Sequence, residues 1–178
     1  MLDNFCRDIN YLRISVTDRC NLRCRYCMPE EGIDKTVHSY ILSLEDLARL
    51  AQVASTLNIS KIRLTGGEPL VRQIETIDDL AITTNGILFA GMADDLKSAG
   101  LDRVNFSVDT LDDIKFEYIT RGGQLREVKK AVYKALELGL HPVKLNTVVI
   151  KGFNDDELLK FADLAYSYPL HIRFIEFM

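Results

Sequence analysis

Segments typical of β-strands and segments typical of amphipathic helices alternate along this 178-residue chain, and this alternation limits the folds open to it. Apolar and β-branched runs predict six strands, at residues 11–16, 61–64, 80–84, 103–108, 142–150 and 170–177. Between several of them, apolar residues recur at helical spacing. Repeated strand–helix alternation predicts parallel strands with crossover helices, as in a doubly wound sheet or a barrel.

Residue types that favour the first and last positions of helices support this assignment of strands and helices. Ser43 with Asp46 three residues later predicts a capping box at the start of one helix, and Gly139 predicts the end of another. A further helix is expected to begin at Asn154, with Glu157 three residues on.

Polar side chains recur at every second position of the predicted strands, so they share one face of the sheet. Strands buried on both faces should be almost continuously apolar, and a closed eight-stranded barrel is packed with aliphatic residues. A polar face therefore suggests a barrel wide enough to hold ligands. An antiparallel sheet with one wet face is the alternative, although the intervening helices argue against it. We expect one domain over residues 1–178, an α/β fold built as an incomplete (β/α)6 TIM-like barrel. The polar residues are Arg13, Ser15, Thr17, Arg63, Thr65, Asn105, Ser107, Asp109, Lys144 and Asn146.

Three of the four cysteines lie directly after the first predicted strand, spaced Cys20-x3-Cys24-x2-Cys27. Clustered thiolates favour an iron–sulfur cluster, zinc or Cu(I). Because no cysteine follows Cys27, a four-iron cluster held by these three would leave one iron open to a substrate or cosubstrate. A closed zinc site that adds Cys6 as a fourth thiolate is the alternative.

The second predicted strand ends in a glycine turn, Gly66-Gly67-Glu68-Pro69, at the same end of the sheet. Adjacent glycines let a ligand approach the backbone closely and leave amide and carbonyl groups free to pair with it. Glu68 could accept a hydrogen bond from an ammonium group. Acidic residues near position 110 are only a weak indication of a magnesium site. Two of them, Asp112 and Asp113, fall in a turn and are expected to cap a helix instead.

Composition excludes some classes of function. A net charge of −4 argues against a broad basic face for nucleic acid. No apolar run has the length of a membrane span, and Asp3, Arg7 and Asp8 interrupt any signal-peptide core. We expect a cytoplasmic protein with reduced thiols, while the oligomeric state, including a homodimer, stays open.

The motifs together resemble the radical S-adenosylmethionine (SAM) superfamily. The resemblance rests on the cysteine spacing, on Tyr26 before the last cysteine and on the glycine turn. Longer strings resemble the branch of the superfamily that cyclises GTP during molybdenum cofactor biosynthesis. These are YLRISVTDRC at 11–20, CMPEEG at 27–32, RLTGGEP at 63–69, TTNG at 83–86 and RFIEFM at 173–178.

The resemblance implies specific roles. Cys20, Cys24 and Cys27 would bind a [4Fe–4S] cluster, and an external electron donor would drive cleavage of SAM to a 5′-deoxyadenosyl radical. The product from GTP would be (8S)-3′,8-cyclo-7,8-dihydroguanosine 5′-triphosphate. The implied SAM-binding residues are Tyr26, Gly66, Gly67, Glu68, Ser107 and Met178, and the implied GTP-binding residues are Arg13, Arg63, Thr83 and Lys144. The three cations among them suit triphosphate oxygens on chemical grounds alone.

The chain departs from the family pattern in two places. Residues 70–79 are short for a crossover, by about three helical turns. The family also has a C-terminal region with a second three-cysteine cluster that holds guanine, and we expect that region to be absent here because no cysteine follows Cys27. The chain alone is then expected to bind SAM but to position GTP poorly. Another radical SAM enzyme, peptide-modifying or activating, is the remaining alternative.

Overall fold

The computed structural model describes residues 4–34, 36, 40–71 and 80–177. Six strands form one sheet in the order β1-β2-β3-β4-β5-β6, and every neighbouring pair is parallel. The sheet is not closed, since β1 and β6 lie at its two edges. The strands are β1 Tyr11–Ser15, β2 Lys61–Thr65, β3 Leu80–Thr84, β4 Leu101–Ser107, β5 Val143–Val149 and β6 Leu170–Glu176.

Helices join these strands in chain order. They are α1 Leu44–Thr56, α2 Phe89–Ser98, α3 Asp113–Thr120, α4 Leu125–Glu137 and α5 Leu158–Ser167, with short 3-10 turns at Pro69–Val71 and Asp155–Glu157. The architecture confirms the predicted incomplete α/β barrel, and the all-parallel pairing shows that the antiparallel alternative was wrong. Within the described residues, no helix is long and apolar enough to span a membrane.

Most of the predicted helix caps are confirmed. The hydroxyl of Ser43 accepts a hydrogen bond from the amide of Asp46 at 3.0 Å and donates one to its carboxylate at 2.9 Å. Asp112 caps α3 by accepting from the amides of Ile114 and Lys115, both at 2.9 Å. Gly139 follows α4 with φ of +66°, a conformation that glycine adopts without strain.

The helical segment predicted to begin at Asn154 does begin there, as the 3-10 turn Asp155–Glu157 that leads into α5. The side chain of Asn154 makes no cap. The side-chain amide donates to the carbonyls of Asp109 and Val148, at 2.6 and 2.8 Å. Asn154 is buried, so long-range backbone acceptors compete successfully for its amide, and it joins the loops that follow β4 and β5.

One face of the sheet packs against the helices and forms the core. Phe106 of β4 contacts Phe89 of α2 edge to face, with ring centroids 5.1 Å apart. Because side chains alternate along a strand, the other face carries the polar residues and lines the concave side. We call this second face the lumen face; its members include Arg13, Arg63, Thr83, Arg103, Asn105, Ser107, Lys144, Asn146 and Arg173.

Candidate functional site

The cysteine loop, residues 17–34, follows β1 at the C-terminal edge of the sheet, where parallel α/β barrels place their active sites. The amide of Gly67 donates to the carbonyl of Thr17 and the amide of Glu68 donates to that of Arg19, both at 2.7 Å. These bonds continue the pairing of β1 with β2 beyond the strands. The loop is therefore held against the glycine turn before it reaches Cys20.

The glycines are required for that contact. A Cβ atom at Gly67 would lie 2.2 Å from the carbonyl oxygen of Arg19, and one at Gly66 would lie 2.5 Å from that of Thr17. The close approach predicted for a ligand is thus made by the chain itself, and the Gly67 amide is already engaged. Contact of Gly66 and Gly67 with SAM stays a prediction.

The three thiols lie within electrostatic range of one another. Burial and the neighbouring Glu68 raise the pKa of Cys20, whose sulfur accepts hydrogen bonds from the amide of Leu22 at 3.4 Å and the side chain of Asn85 at 3.7 Å. Burial, Asp109 and the other two thiols raise the pKa of Cys24 to about 12. Bringing such thiolates together requires a compensating cation, which iron or zinc would supply.

Three thiolates on one loop form a donor set that suits a four-iron cluster. Among residues 4–34, 36, 40–71 and 80–177, no three Cys, His, Asp or Glu side chains form a group that could hold a single metal ion. In a four-iron cluster each thiolate binds a different iron, so Cys20, Cys24 and Cys27 need not converge. Cys6, the fourth ligand of the zinc alternative, is exposed near the N-terminus.

The far side of the cysteine loop rests on the end of α3. The amides of Arg23 and Arg25 donate to the carbonyls of Thr120 and Ile119, at 3.2 and 2.8 Å. These are orphan carbonyls of a helix end, which need donors from elsewhere in the chain. The loop is thereby attached to both β2 and α3.

Tyr26 connects the same loop to β4 and β5. Its hydroxyl donates to Oδ2 of Asp109 at 2.6 Å, while Oδ1 of Asp109 accepts from the amide of Val148 at 2.9 Å. Burial raises the pKa of Asp109 although both hydrogen bonds oppose this. Asp109 is thus a positioning residue, a role that sequence reasoning missed when it listed Asp109 among the polar residues of the predicted strands.

Glu68 is fully buried and bonded within the protein. Oε1 accepts from the amide of Leu70 at 3.1 Å and the hydroxyl of Thr84 at 2.8 Å, and Oε2 accepts from the amide of Asn85 at 2.7 Å. The described contacts give Glu68 the role of joining the ends of β2 and β3. Its predicted contact with the ammonium group of SAM remains untested.

The lumen face places the predicted residues at successive levels. Arg13 pairs in register with Arg63 at the lowest level. Thr83, Asn105 and Lys144 share the next level, and Ser107 pairs with Asn146 one level above it. Each level rises about 7 Å, so the cations lie beneath Ser107 and the cysteine loop. Met178 lies outside the described residues.

Like charges accumulate on the lumen face, where Arg173 lies level with Asn146 and the other cations lie at lower levels. Burial lowers the pKa of Arg63, and the nearby Arg173, Arg103 and Arg13 lower it further. The pKa of Lys144 is lowered by burial and by Arg173, Arg63 and Arg103. Within the described part of the chain, Nε of Arg63 and Oδ1 of Asn146 are buried without a hydrogen-bond partner. An anion with several oxygens would accept from Nε of Arg63 and offset the clustered positive charge, whereas Oδ1 of Asn146 needs a donor such as a hydroxyl or an amino group.

Sequence reasoning assigned no role to several residues of the site. Arg103 and Arg173 belong to the cationic group, and neither was predicted. The alternation of side chains along β4 and β6 is the signal that could have indicated both. Asn85 stands within the TTNG string, but only the fold brings its amide to Cys20. Arg121, behind the cysteine loop, gave no sequence signal.

The family model described as the radical SAM superfamily matches residues 14–165. The chain belongs to the radical SAM superfamily. Among solved structures, Streptococcus suis SuiB bound to S-adenosylmethionine has a TM-score of 0.71 at 19% identity, covering 95% of this chain and 39% of that one. At this identity the likeness concerns the fold alone.

Two curated relatives are much more similar in sequence. GTP 3′,8-cyclase of Syntrophomonas wolfei subsp. wolfei is 63% identical and that of Desulforamulus reducens is 58% identical, in each case over the whole of this chain and 58% of the relative. The chain thus spans under two thirds of the length of the relatives it matches.

Both alignments run over 189 positions, so at least eleven have no counterpart in these 178 residues. That shortfall agrees in size with the roughly three helical turns that the sequence predicts to be missing.

Proposed function

We propose that this chain forms the SAM-binding and triphosphate-binding part of a GTP 3′,8-cyclase of molybdenum cofactor biosynthesis. The observation that carries the proposal is the cationic lumen face beneath a three-cysteine loop. Arg63 and Lys144 point to a polyanion, and two curated relatives at 58–63% identity act on GTP by their names. A cytoplasmic setting with a reducing electron donor suits the chemistry, and a homodimer remains compatible with it.

Cys20, Cys24 and Cys27 would hold the [4Fe–4S] cluster. When bound, such a cluster would supply the electron that cleaves a C–S bond of SAM, with methionine as the leaving group and the 5′-deoxyadenosyl radical as the other product. The chain contributes position: the glycine turn and the end of α3 hold the loop, and Asn85 donates to the Cys20 sulfur. Ser107 lies on the level directly below Asp109, in keeping with its proposed contact with SAM.

The lower levels of the lumen face would hold GTP. Arg13, Arg63 and Lys144 would pair with triphosphate oxygens, and Thr83 lies in register with the level of Lys144 through Asn105. With the triphosphate low and SAM high, the ribose would lie between them. That position would bring the sugar towards the radical, as hydrogen abstraction from C3′ requires.

Two kinds of measurement test the proposal. Anaerobic reconstitution should yield a brown protein with about four irons per chain, which is reduced by dithionite. With SAM it should release 5′-deoxyadenosine and methionine, and it should bind GTP and inorganic tripolyphosphate. Little cyclised product is expected, because the chain alone is expected to position GTP poorly.

The alternatives predict other outcomes. A colourless protein containing one zinc would overturn the radical SAM proposal. SAM cleavage that is unaffected by GTP, in a protein that binds neither GTP nor inorganic tripolyphosphate, would favour a different radical SAM enzyme. Arg63→Gln is the decisive variant, because it should weaken binding of GTP and leave binding of SAM unchanged.

A further inference from the structure

Arg121 follows α3 in a backbone conformation that is unusual for its residue type. Its φ and ψ are both 55°, in the left-handed region that glycine occupies more easily. A helix can end in this way with glycine at no steric cost, so a helix cap alone does not require arginine. Strained positions of this kind persist where the surrounding structure holds them.

The side chain of Arg121 runs under the cysteine loop. Its Nη1 donates to the carbonyl of Arg23 at 2.6 Å and to the carbonyl of Met28 at 3.1 Å. Arg23 directly precedes Cys24, and Met28 directly follows Cys27. One guanidinium therefore joins the two ends of the segment that carries these two thiols.

The segment between those carbonyls is a compact turn. The amides of Cys27 and Met28 both donate to the carbonyl of Cys24, at 2.9 and 3.1 Å. The side chain of Arg121 is 18% exposed, with Glu30 at 3.9 Å as its only nearby carboxylate in the described residues. Charge-assisted bonds from a largely buried fork restrict such a turn more than an exposed side chain would.

We propose that Arg121 is a positioning residue that presets the separation of Cys24 and Cys27 for the cluster. The proposal rests on the proposed function, because it assumes that these thiols bind one cluster. Both bonds come from Nη1, whose two N–H groups the planar guanidinium holds in fixed directions. A lysine ammonium has no such plane and is more strongly hydrated, so it is a poorer replacement.

Arg121→Gly separates this role from that of a helix cap. Glycine relieves the left-handed backbone, so the metal-free variant should unfold at the same temperature as wild type or higher. Its reconstituted cluster should lose iron to a chelator about tenfold faster, as expected when charge-assisted hydrogen bonds are lost. The electron paramagnetic resonance spectrum of the reduced cluster should also broaden, because the thiols adopt several separations.

Arg126→Gln is the matched control, since Arg126 is an exposed arginine on α4 whose described partner is Glu127. It should lose iron at the wild-type rate. Arg121→Lys keeps the charge and should lose iron at a rate between those of wild type and Arg121→Gly.

Each remaining outcome either supports or overturns the role of Arg121. Equal iron loss from wild type and Arg121→Gly overturns the role of Arg121 while the proposed function stands. If Arg121→Gly is also destabilised without metal, Arg121→Lys decides: fast iron loss at wild-type stability supports the proposal, and wild-type iron loss overturns it. A wild-type chain that takes up no iron–sulfur cluster overturns the proposed function and this inference together.

Discussion

The hydroxyl of Tyr26 donates a 2.6 Å hydrogen bond to the buried carboxylate of Asp109, 83 residues away in the chain. This bond joins the loop that carries the cysteines to the end of β4. The second oxygen of Asp109 accepts from the amide of Val148, so one carboxylate fixes the loop relative to two strands.

Removing that hydroxyl should cost stability in a pH-dependent way. Tyr26→Phe leaves Asp109 buried with one donor fewer, and we expect the free energy of unfolding to fall by about 2 kcal/mol at neutral pH. Burial already raises the pKa of Asp109 above 3.8, and the lost bond lets the pKa rise further. Asp109 of the folded variant then keeps its proton to a higher pH than Asp109 of folded wild type or of the unfolded chain. The loss of stability relative to wild type should therefore be small below pH 3.8 and grow as the pH rises through the folded pKa of Asp109.

Urea unfolding at several pH values measures this effect. Tyr133→Phe is the control, because the Tyr133 hydroxyl is exposed and its contact with Tyr168 is long, at 3.5 Å. A Tyr26→Phe loss that does not change with pH would show that the bond to Asp109 is not its cause.

Glu68→Gln should also destabilise the fold. Both oxygens of the carboxylate accept hydrogen bonds, three in all. In a glutamine one of these oxygens becomes an NH2 group, which is itself a donor and would face another donor such as the amide of Asn85. We expect a loss of about 2 kcal/mol in the free energy of unfolding of the metal-free protein. Glu127→Gln, which alters an exposed pair with Lys130, should change it by less than about 0.5 kcal/mol. Equal stability of the two variants would argue against a joining role for Glu68.

Gly67→Ala should be poorly tolerated. The new Cβ would lie 2.2 Å from the backbone oxygen of Arg19, so the cysteine loop must move away from the glycine turn. We expect a loss of about 3 kcal/mol and slower cluster reconstitution. At Gly91 of α2 a Cβ meets nothing within 4 Å, so Gly91→Ala should stabilise the protein by about 0.5–1 kcal/mol. Calorimetry on both variants measures the contrast, and a tolerated Gly67→Ala would mean that the loop is not packed on the glycine turn.

Lys144→Gln should affect binding and stability in opposite directions. Three nearby arginines and burial disfavour the charged form of Lys144, so its neutral replacement should slightly raise stability in the absence of ligand. Affinity for inorganic tripolyphosphate should fall about tenfold, since a charge-assisted bond is lost. Lys130→Gln, on the exposed side of α4, should leave the affinity unchanged. Titration calorimetry at constant ionic strength tests both effects, and an unchanged affinity for Lys144→Gln would remove it from the triphosphate site.

Local patterns in the sequence were sufficient for the strands and the lumen face. Alternation placed Arg13, Arg63 and Lys144 on the same face of three strands, because side chains of a strand point alternately to its two sides. The helical start at Asn154 was predicted, but the partners of its side chain were not. A buried amide bonds to the carbonyls that the fold brings near it, and one of them, that of Asp109, is 45 residues away in the chain.

The sequence by itself determined the alternating parallel fold, the three thiols after β1 and the need for glycine beside them. Tertiary structure decided which groups hold those thiols in place. Asp109, Glu68 and Arg121 act through hydrogen bonds to residues far away in the chain, and such bonds depend on how loops from different strands meet. Strand and helix patterns arise from neighbouring residues and can be predicted from them. The partner of a buried charge is chosen by packing, because desolvation favours whichever complementary group the fold brings within reach.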